Sequence, residues 1–330
     1  MSAGLNSSNS KTAIGVGSAL MDLLLKENDE FINATGAAKG GMTLVESSDI
    51  DKILEKTSNG VEKVPGGSAC NTILGIAKLG NPTSFIGKVG KDSVGEELEK
   101  GLKANGVTPV FEKSELPTGR VLSIITPDAQ RTMYTYLGAA SDTRVEELTE
   151  NKFQGAAVVH IEGYLLFNKD LIFKALDEAK KSGALISLDL ASFTVVEAAR
   201  DILEEIVRDY VDILLANEDE AKAYTGTSDE SESLKLLSKD VKVAVLKVGK
   251  RGSFISYNDK VTQVGILGSG NAIDTTGAGD LWASGFLYGI INGLPIEKCG
   301  ELGSACGYEV CQVIGAQIPE DGWVRIKKLL

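Results

Sequence analysis

Residues 274 to 280 read Asp-Thr-Thr-Gly-Ala-Gly-Asp, three small residues followed by a carboxylate that opens the apolar run Leu281 to Ile291. The run stops at Asn292-Gly293-Leu294-Pro295, so the pattern predicts a buried helix with Gly277, Ala278 and Gly279 at its N-terminus. The first N–H groups of a helix lack intrahelical acceptors, and with no bulky side chain in the way an anion such as a phosphoryl group can approach them. Asp280 would be costly as a mere neighbour of phosphate. It makes sense as a general base taking a proton from a hydroxyl that attacks beside this anion hole. The competing reading is a capped helix whose first-turn Asp complements the dipole, worth roughly 0.3–1 kcal/mol.

Two further Gly-rich segments lie far away in the chain: Pro65-Gly66-Gly67-Ser68-Ala69-Cys70-Asn71-Thr72 and Val245-Leu246-Lys247-Val248-Gly249-Lys250-Arg251-Gly252. With an early Asp22, an Asn-x-x-Glu at 217–220 and the 274–280 stretch, they stand in the order that the phosphofructokinase-B, or ribokinase-like, family of sugar and nucleoside kinases shows. The chain resembles that family from about Ala13 to Pro319. The resemblance implies a three-layer αβα sandwich with a mostly parallel central sheet and a small β-sheet lid.

Composition is consistent with a soluble enzyme. A chain of 330 residues with 43% hydrophobic content can bury a large core, and a net charge of −12 argues against binding nucleic acid or an anionic membrane. Four cysteines without a CxxC pair, and a single histidine, His160, argue against zinc. No stretch approaches the ~18 consecutive apolar residues of a membrane span, and no secretory leader is recognisable. The expected location is the cytoplasm, with free thiols.

Residues 1–10, rich in Ser, Asn and Gly, are expected to be disordered. Buried strands are read at 12–16, 84–89, 156–161, 184–188, 213–216 and 244–248, each of the later ones followed by a helical pattern, as in a parallel sheet covered on both faces. Short alternations over 23–64, and two β-rich runs joined by Pro127-Asp128-Ala129-Gln130, read as a small second sheet. The expected boundaries are 11–22, 65–106 and 138–330 for the large domain, with 23–64 and 107–137 for the lid.

In open parallel sheets ligands bind at the carboxyl ends of the strands, where these motifs fall. The family's sugar-binding Asp matches Asp22, whose carboxylate can accept from two sugar hydroxyls. Gly66 and Gly67 would let backbone approach a sugar, and Asn71, placed at the start of a helix over 71–79, offers both a donor and an acceptor. Ser68 stands where the family's ribokinases carry Lys and its adenosine kinases a small polar residue, which argues against ribose. Glu162 matches a sugar-contacting Glu; His160 reads as a packed strand residue. Asn217, Lys247, Gly249 and Gly252 match the nucleotide-binding positions, although a bland turn explains Lys247 almost as well. Without a GxxxxGK[ST] stretch, ATP must be held without a Walker A loop. Mg²⁺ keeps much of its water, so Glu220 is expected to organise its hydration shell. Arg131 matches an arginine that reaches the transferring phosphate when the lid closes, with an exposed hairpin arginine as the even alternative. Some members bind a monovalent cation such as K⁺ at positions falling here on Asp274 and Thr276; the sequence leaves this open.

The expected activity is transfer of the γ-phosphate of ATP to a hydroxymethyl group of a nucleoside, adenosine-like by the resemblance of 17–22, 131–140 and 161–165 to the bacterial adenosine-kinase-like branch. The runner-up is a free sugar such as fructose. A non-catalytic nucleotide sensor is an alternative of another class; a dinucleotide-binding oxidoreductase is disfavoured because Gly15-Val16-Gly17-Ser18-Ala19-Leu20 lacks the last glycine of GxGxxG. A homodimer through the lid strands is the slightly preferred assembly over a monomer.

Overall fold

A computed structural model describes residues 10–36, 39–128 and 130–330. The expected disorder over 1–10 lies outside the described residues except at Ser10, whose hydroxyl donates to the Gly155 carbonyl.

The first half of the chain runs β1 (Thr12–Val16), β2 (Leu20–Lys26), α1 (Asp29–Thr35), β3 (Met42–Leu44), α2 (Ser47–Leu54), β4 (Val61–Gly66), α3 (Ser68–Leu79), β5 (Thr83–Gly90), α4 (Ser93–Ala104), β6 (Val107–Ser114), β7 (Gly119–Ile125), β8 (Arg131–Tyr136) and β9 (Ala156–Glu162). It continues with α5 (Lys169–Lys181), β10 (Leu185–Asp189), α6 (Phe193–Ala198), α7 (Arg200–Tyr210), β11 (Ile213–Asn217), α8 (Glu218–Thr225), α9 (Glu230–Leu237), β12 (Val243–Lys247), β13 (Ser253–Tyr257), β14 (Lys260–Val264), α10 (Ala278–Ile291), α11 (Ile296–Val310) and α12 (Glu320–Lys327).

A nine-stranded sheet in the order β14-β13-β12-β11-β10-β9-β1-β5-β6 forms the large layer. It is parallel from β12 to β6, and β13 and β14 add an antiparallel edge. Its inner strands are buried and mostly apolar, interrupted by His160 and Ser187, as expected of a sheet covered on both faces. One face packs on α3, α10 and α11, and α10 is buried almost all round. That sandwiching demands small residues: a Cβ on Gly285 would lie 2.3 Å from the Leu302 carbonyl of α11.

The second sheet, β3-β8-β7-β2-β4, is the lid. By register, Met21, Leu23, Leu25, Leu122, Ile124 and Tyr134 share its outer face and pack with Ile32, Ile50 and Ile53 of α1 and α2. The opposite face carries Asp22, Leu24, Val64, Val121, Arg131 and Met133. Leu24 meets Gly315 of the large layer, and Ile314 packs beside it.

Three expected boundaries differ. Residues 107–114 form β6, paired in parallel with β5, so they belong to the large sheet and not to the lid. Conversely, Leu20 to Asp22 and Pro65-Gly66 are paired within the lid sheet, because β2 and β4 continue up to the crossings between the layers. Residues 23–64 also contain two helices; the Asn28 side chain caps α1 by accepting from the Phe31 N–H.

Candidate active site

The carboxyl ends of the central strands meet the start of α10 beneath the inner face of the lid. Gly277 caps α10 with φ of 69°, and a Cβ there would lie 2.6 Å from the Ala316 side chain, so a side chain is excluded on both counts. The N–H groups of Gly277, Gly279 and Asp280 have no acceptor among the described residues. The Ala278 N–H does, donating to the Thr275 carbonyl at 3.2 Å. The expected trio of 277, 278 and 279 is therefore altered: the turn closes on Ala278 and presents its neighbours.

Asp280 is gripped from α3. Ser68 Oγ donates to its Oδ1 at 2.8 Å, Asn71 Nδ2 donates to its Oδ2 at 3.0 Å, and Thr72 Oγ1 donates to its backbone carbonyl at 3.1 Å. The helix begins at Ser68 rather than Asn71, which sets both side chains one turn apart on the side facing Asp280. Asn71 Oδ1 is buried without a hydrogen-bond partner, an acceptor left over in the site. Burial raises the Asp280 carboxyl to about 6, against the lowering effect of the Asn71 and Ser68 bonds.

Asp22 stands across from Asp280 on β2. Burial lifts it to about 7, Arg131 pulls it down and Asp280 pushes it up. The glycines beside it are filled by protein. A Cβ on Gly66 would lie 2.3 Å from the Asp22 carboxyl, and one on Gly67, at φ of 102°, 2.3 Å from the Ser18 carbonyl. Side chains at these two positions are thus excluded by the Asp22 carboxyl and the Ser18 carbonyl. Gly67→Ala is expected to cost about 1–3 kcal/mol in chemical denaturation through clash and backbone strain; unchanged stability would contradict the contact.

Glu162 is buried at the end of β9. Its oxygens accept from the Ser18 N–H at 2.8 Å and the Ala69 N–H at 3.1 Å, and burial raises it to about 7. With one backbone N–H on each oxygen, Glu162 fastens the β1–β2 crossing and the start of α3.

Asn217 and Glu220 bind one another. Asn217 Oδ1 accepts from the Glu220 N–H at 2.9 Å, Asn217 Nδ2 donates to Glu220 Oε1 at 2.6 Å, and Glu220 Oε2 accepts from the Asn217 N–H at 2.8 Å. This is a capping box on α8. Burial, with Asp189 adding to it, raises Glu220 to about 7. With its oxygens shared in this way, Glu220 fits a hydrated divalent cation better than a bare one. No cluster of three or more His, Cys, Asp or Glu suited to grip a metal occurs among the described residues.

Lys247 lies inside the site, not on a surface turn: Nζ is 2.7 Å from Asp189 Oδ2, with side chains 13% and 7% exposed. Asp189, at the end of β10, escaped the sequence reading. The signal was present, since Glu162, Asp189, Asn217 and Lys247 are each the polar last residue of a mostly apolar strand. Gly249 and Gly252 shape the turn after β12, and a Cβ on Gly252 would lie 1.9 Å from the Val264 carbonyl. Asp274 is also engaged: Oδ1 accepts from the Thr276 N–H and hydroxyl at 3.0 and 2.7 Å, and Oδ2 from the Gly315 N–H at 2.9 Å. His160 is buried within the sheet, its Nδ1 3.1 Å from Ser187 Oγ.

Comparison with known proteins agrees with the fold. Residues 35–322 match the family described as pfkB family carbohydrate kinase. The chain is 29% identical to a 5-dehydro-2-deoxygluconokinase of Geobacillus kaustophilus, over 78% of this chain and 82% of that protein. The structure is similar to that of an adenosine kinase from Sinorhizobium meliloti, with a TM-score of 0.87 and 30% identity over 97% of this chain and 99% of the other. It is equally similar to a probable sugar kinase from Rhizobium etli, with a TM-score of 0.89 and 30% identity over 97% and 100% of the two chains. Among the described residues no helix is long and apolar enough to cross a membrane.

Proposed function

The chain belongs to the pfkB family of carbohydrate kinases, and from that premise we propose that it transfers the γ-phosphoryl group of ATP to a hydroxymethyl group of an adenosine-like nucleoside. Membership makes it a sugar or nucleoside kinase that uses ATP, typically with a divalent metal. The observation that carries the reaction is the grip of Ser68 and Asn71 on Asp280 beside the free N–H groups of the α10 turn.

In this reading the γ-phosphate lies over the N–H groups of Gly277, Gly279 and Asp280. The acceptor is held by Asp22 and by the unpaired Asn71 Oδ1. Asp280 takes the proton of the acceptor hydroxyl, the acceptor oxygen bonds to phosphorus, and the bond to the β–γ bridging oxygen breaks with its electron pair leaving on ADP. Arg131 adds positive charge from the lid. Glu220 would hold a Mg²⁺ ion through water, and the ion would supply positive charge against the phosphates. A nucleoside is favoured by the apolar residues on the inner face of the lid, where Val64 and Val121 flank Asp22 by register and Met133 lies further along, beyond Ser123 and Thr135. A free sugar is the second reading, favoured by the similarity to a 5-dehydro-2-deoxygluconokinase.

The test is ADP release from Mg·ATP with adenosine, inosine, guanosine, ribose, fructose, fructose 6-phosphate and 5-dehydro-2-deoxygluconate. Turnover only on a sugar overturns the nucleoside; no turnover alongside ATP binding supports a sensor. The pH profile is a second test. Asp280 and Asp22 act as carboxylates and are raised to about 6 and about 7, so kcat/KM is expected to fall as the pH drops through that window and to be flat above it. A profile without an acid limb there would remove Asp280 as the base.

A further inference from the structure

We propose that Lys247 is a catalytic cation, whose ammonium bonds to the phosphoryl group in flight while Asp189 holds it beneath the first turn of α10. The assignment rests on the kinase reading above. Its Nζ lies 3.1 Å from where a Cβ on Gly279 would stand, so it is pressed against the turn whose N–H groups await an anion. An ammonium has three donors. One goes to Asp189 Oδ2 at 2.7 Å, and the others have no acceptor among the described residues although the side chain is nearly buried. Unspent donors of a nearly buried cation that lies against a turn with free N–H groups mark a place for anionic oxygens.

The surroundings keep the cation charged. Burial alone would favour loss of its proton, but Asp189, Glu220 and Asp280 outweigh it and leave the ammonium above its ordinary value. The lysine belongs to the large sheet, so it is in place whether or not the lid closes, unlike Arg131. As the acceptor oxygen bonds to phosphorus and the β–γ oxygen departs with its electron pair, the acceptor's proton passes to Asp280 and not to Lys247. The ammonium gives up no proton and serves only to offset the charge on the phosphoryl oxygens.

The opposing role is structural: Lys247 could do no more than neutralise Asp189. Removing one member of a buried pair strands the other, so a single variant is ambiguous. The experiment compares wild type, Lys247→Met, and the double variant Lys247→Met with Asp189→Asn, measuring kcat on the best acceptor of the panel, ADP affinity by calorimetry, and Tm. For Lys247→Met the expectation is a kcat roughly 10- to 100-fold lower with ADP affinity within about twofold. That lies at or below the ~10²–10³-fold loss of a single oxyanion donor, because the turn N–H groups share the charge. The double variant should regain Tm but not kcat. Recovery of kcat in the double variant overturns the assignment in favour of charge neutralisation, and loss of ADP affinity matching the loss in kcat/KM overturns it in favour of nucleotide binding. Wild-type turnover with an unimpaired Lys247→Met defeats the lysine's role alone, whereas a wild type inert on every acceptor defeats the kinase reading and this assignment with it.

Discussion

Asp280→Asn is expected to lower kcat by at least ~10²-fold, the lower end of what a positioned general base contributes, with little change in fold or ADP affinity. The substitution is nearly isosteric, and the site can absorb it. The Asn71 Nδ2 donor can keep bonding to the amide oxygen, while the Ser68 hydroxyl, which donates to Asp280 in the native protein, can rotate and accept from the new amide nitrogen. The Thr72 bond goes to the backbone carbonyl and is untouched. What is lost is the ability to take a proton. The measurement is single-turnover phosphoryl transfer beside Tm and ADP calorimetry. Turnover within a few-fold of wild type in a folded variant would remove Asp280 from the chemistry and return it to the role of a helix-capping charge.

Much of this site was legible because its parts are local motifs. Asp280 and the glycines before it lie in one short stretch whose small residues announce close approach and join a carboxylate to a helix start, whereas Ser68 and Asn71 are read as substrate-binding residues through the family resemblance and prove to bond Asp280. What a glycine cannot announce is what approaches it. Gly66 and Gly67 read as places where backbone can approach a sugar, and the structure adds that the Asp22 carboxyl and the Ser18 carbonyl stand where side chains at the two positions would lie. Asp189 was missed because its partner Lys247 lies 58 residues away and meets it only across the sheet. The strand 107–114 was assigned to the lid for a related reason. As the edge of the parallel sheet it is half exposed and carries Pro109, so it reads like a lid strand. The helices over 29–35 and 47–54 were hidden by their shortness, although the Asn28 cap could have revealed the first.

The electrostatics of the site follow from the same long-range pairing. Asp22, Glu162, Asp280 and Glu220 are all raised, each first by burial, which means that the fold holds ionisable groups where their charged forms are disfavoured. Such a collection is costly to an empty site and useful to one that receives hydroxyl groups and a cation-bearing phosphate.

Asp22→Asn separates those two consequences. As the acceptor of two hydroxyl donors, the carboxylate offers charge-assisted hydrogen bonds of about 1.5–3 kcal/mol each, so its loss is expected to lower kcat/KM for the acceptor by ~10²-fold or more while KM for ATP changes little. The same change is expected to stabilise the protein. Asp22 titrates at about 7 when folded against 3.8 ordinarily, so between those values the folded chain holds a proton that the unfolded chain has released. Stability therefore falls as the pH rises through this window, and the whole penalty is present above about pH 7. An amide is neutral throughout and escapes it. The expected result is a Tm above that of wild type at about pH 8, with the gain shrinking as the pH is lowered and gone near pH 4. A variant with normal acceptor kinetics would show that Asp22 does not touch the acceptor. A Tm difference independent of pH would show that the buried charge is not what the substitution relieves.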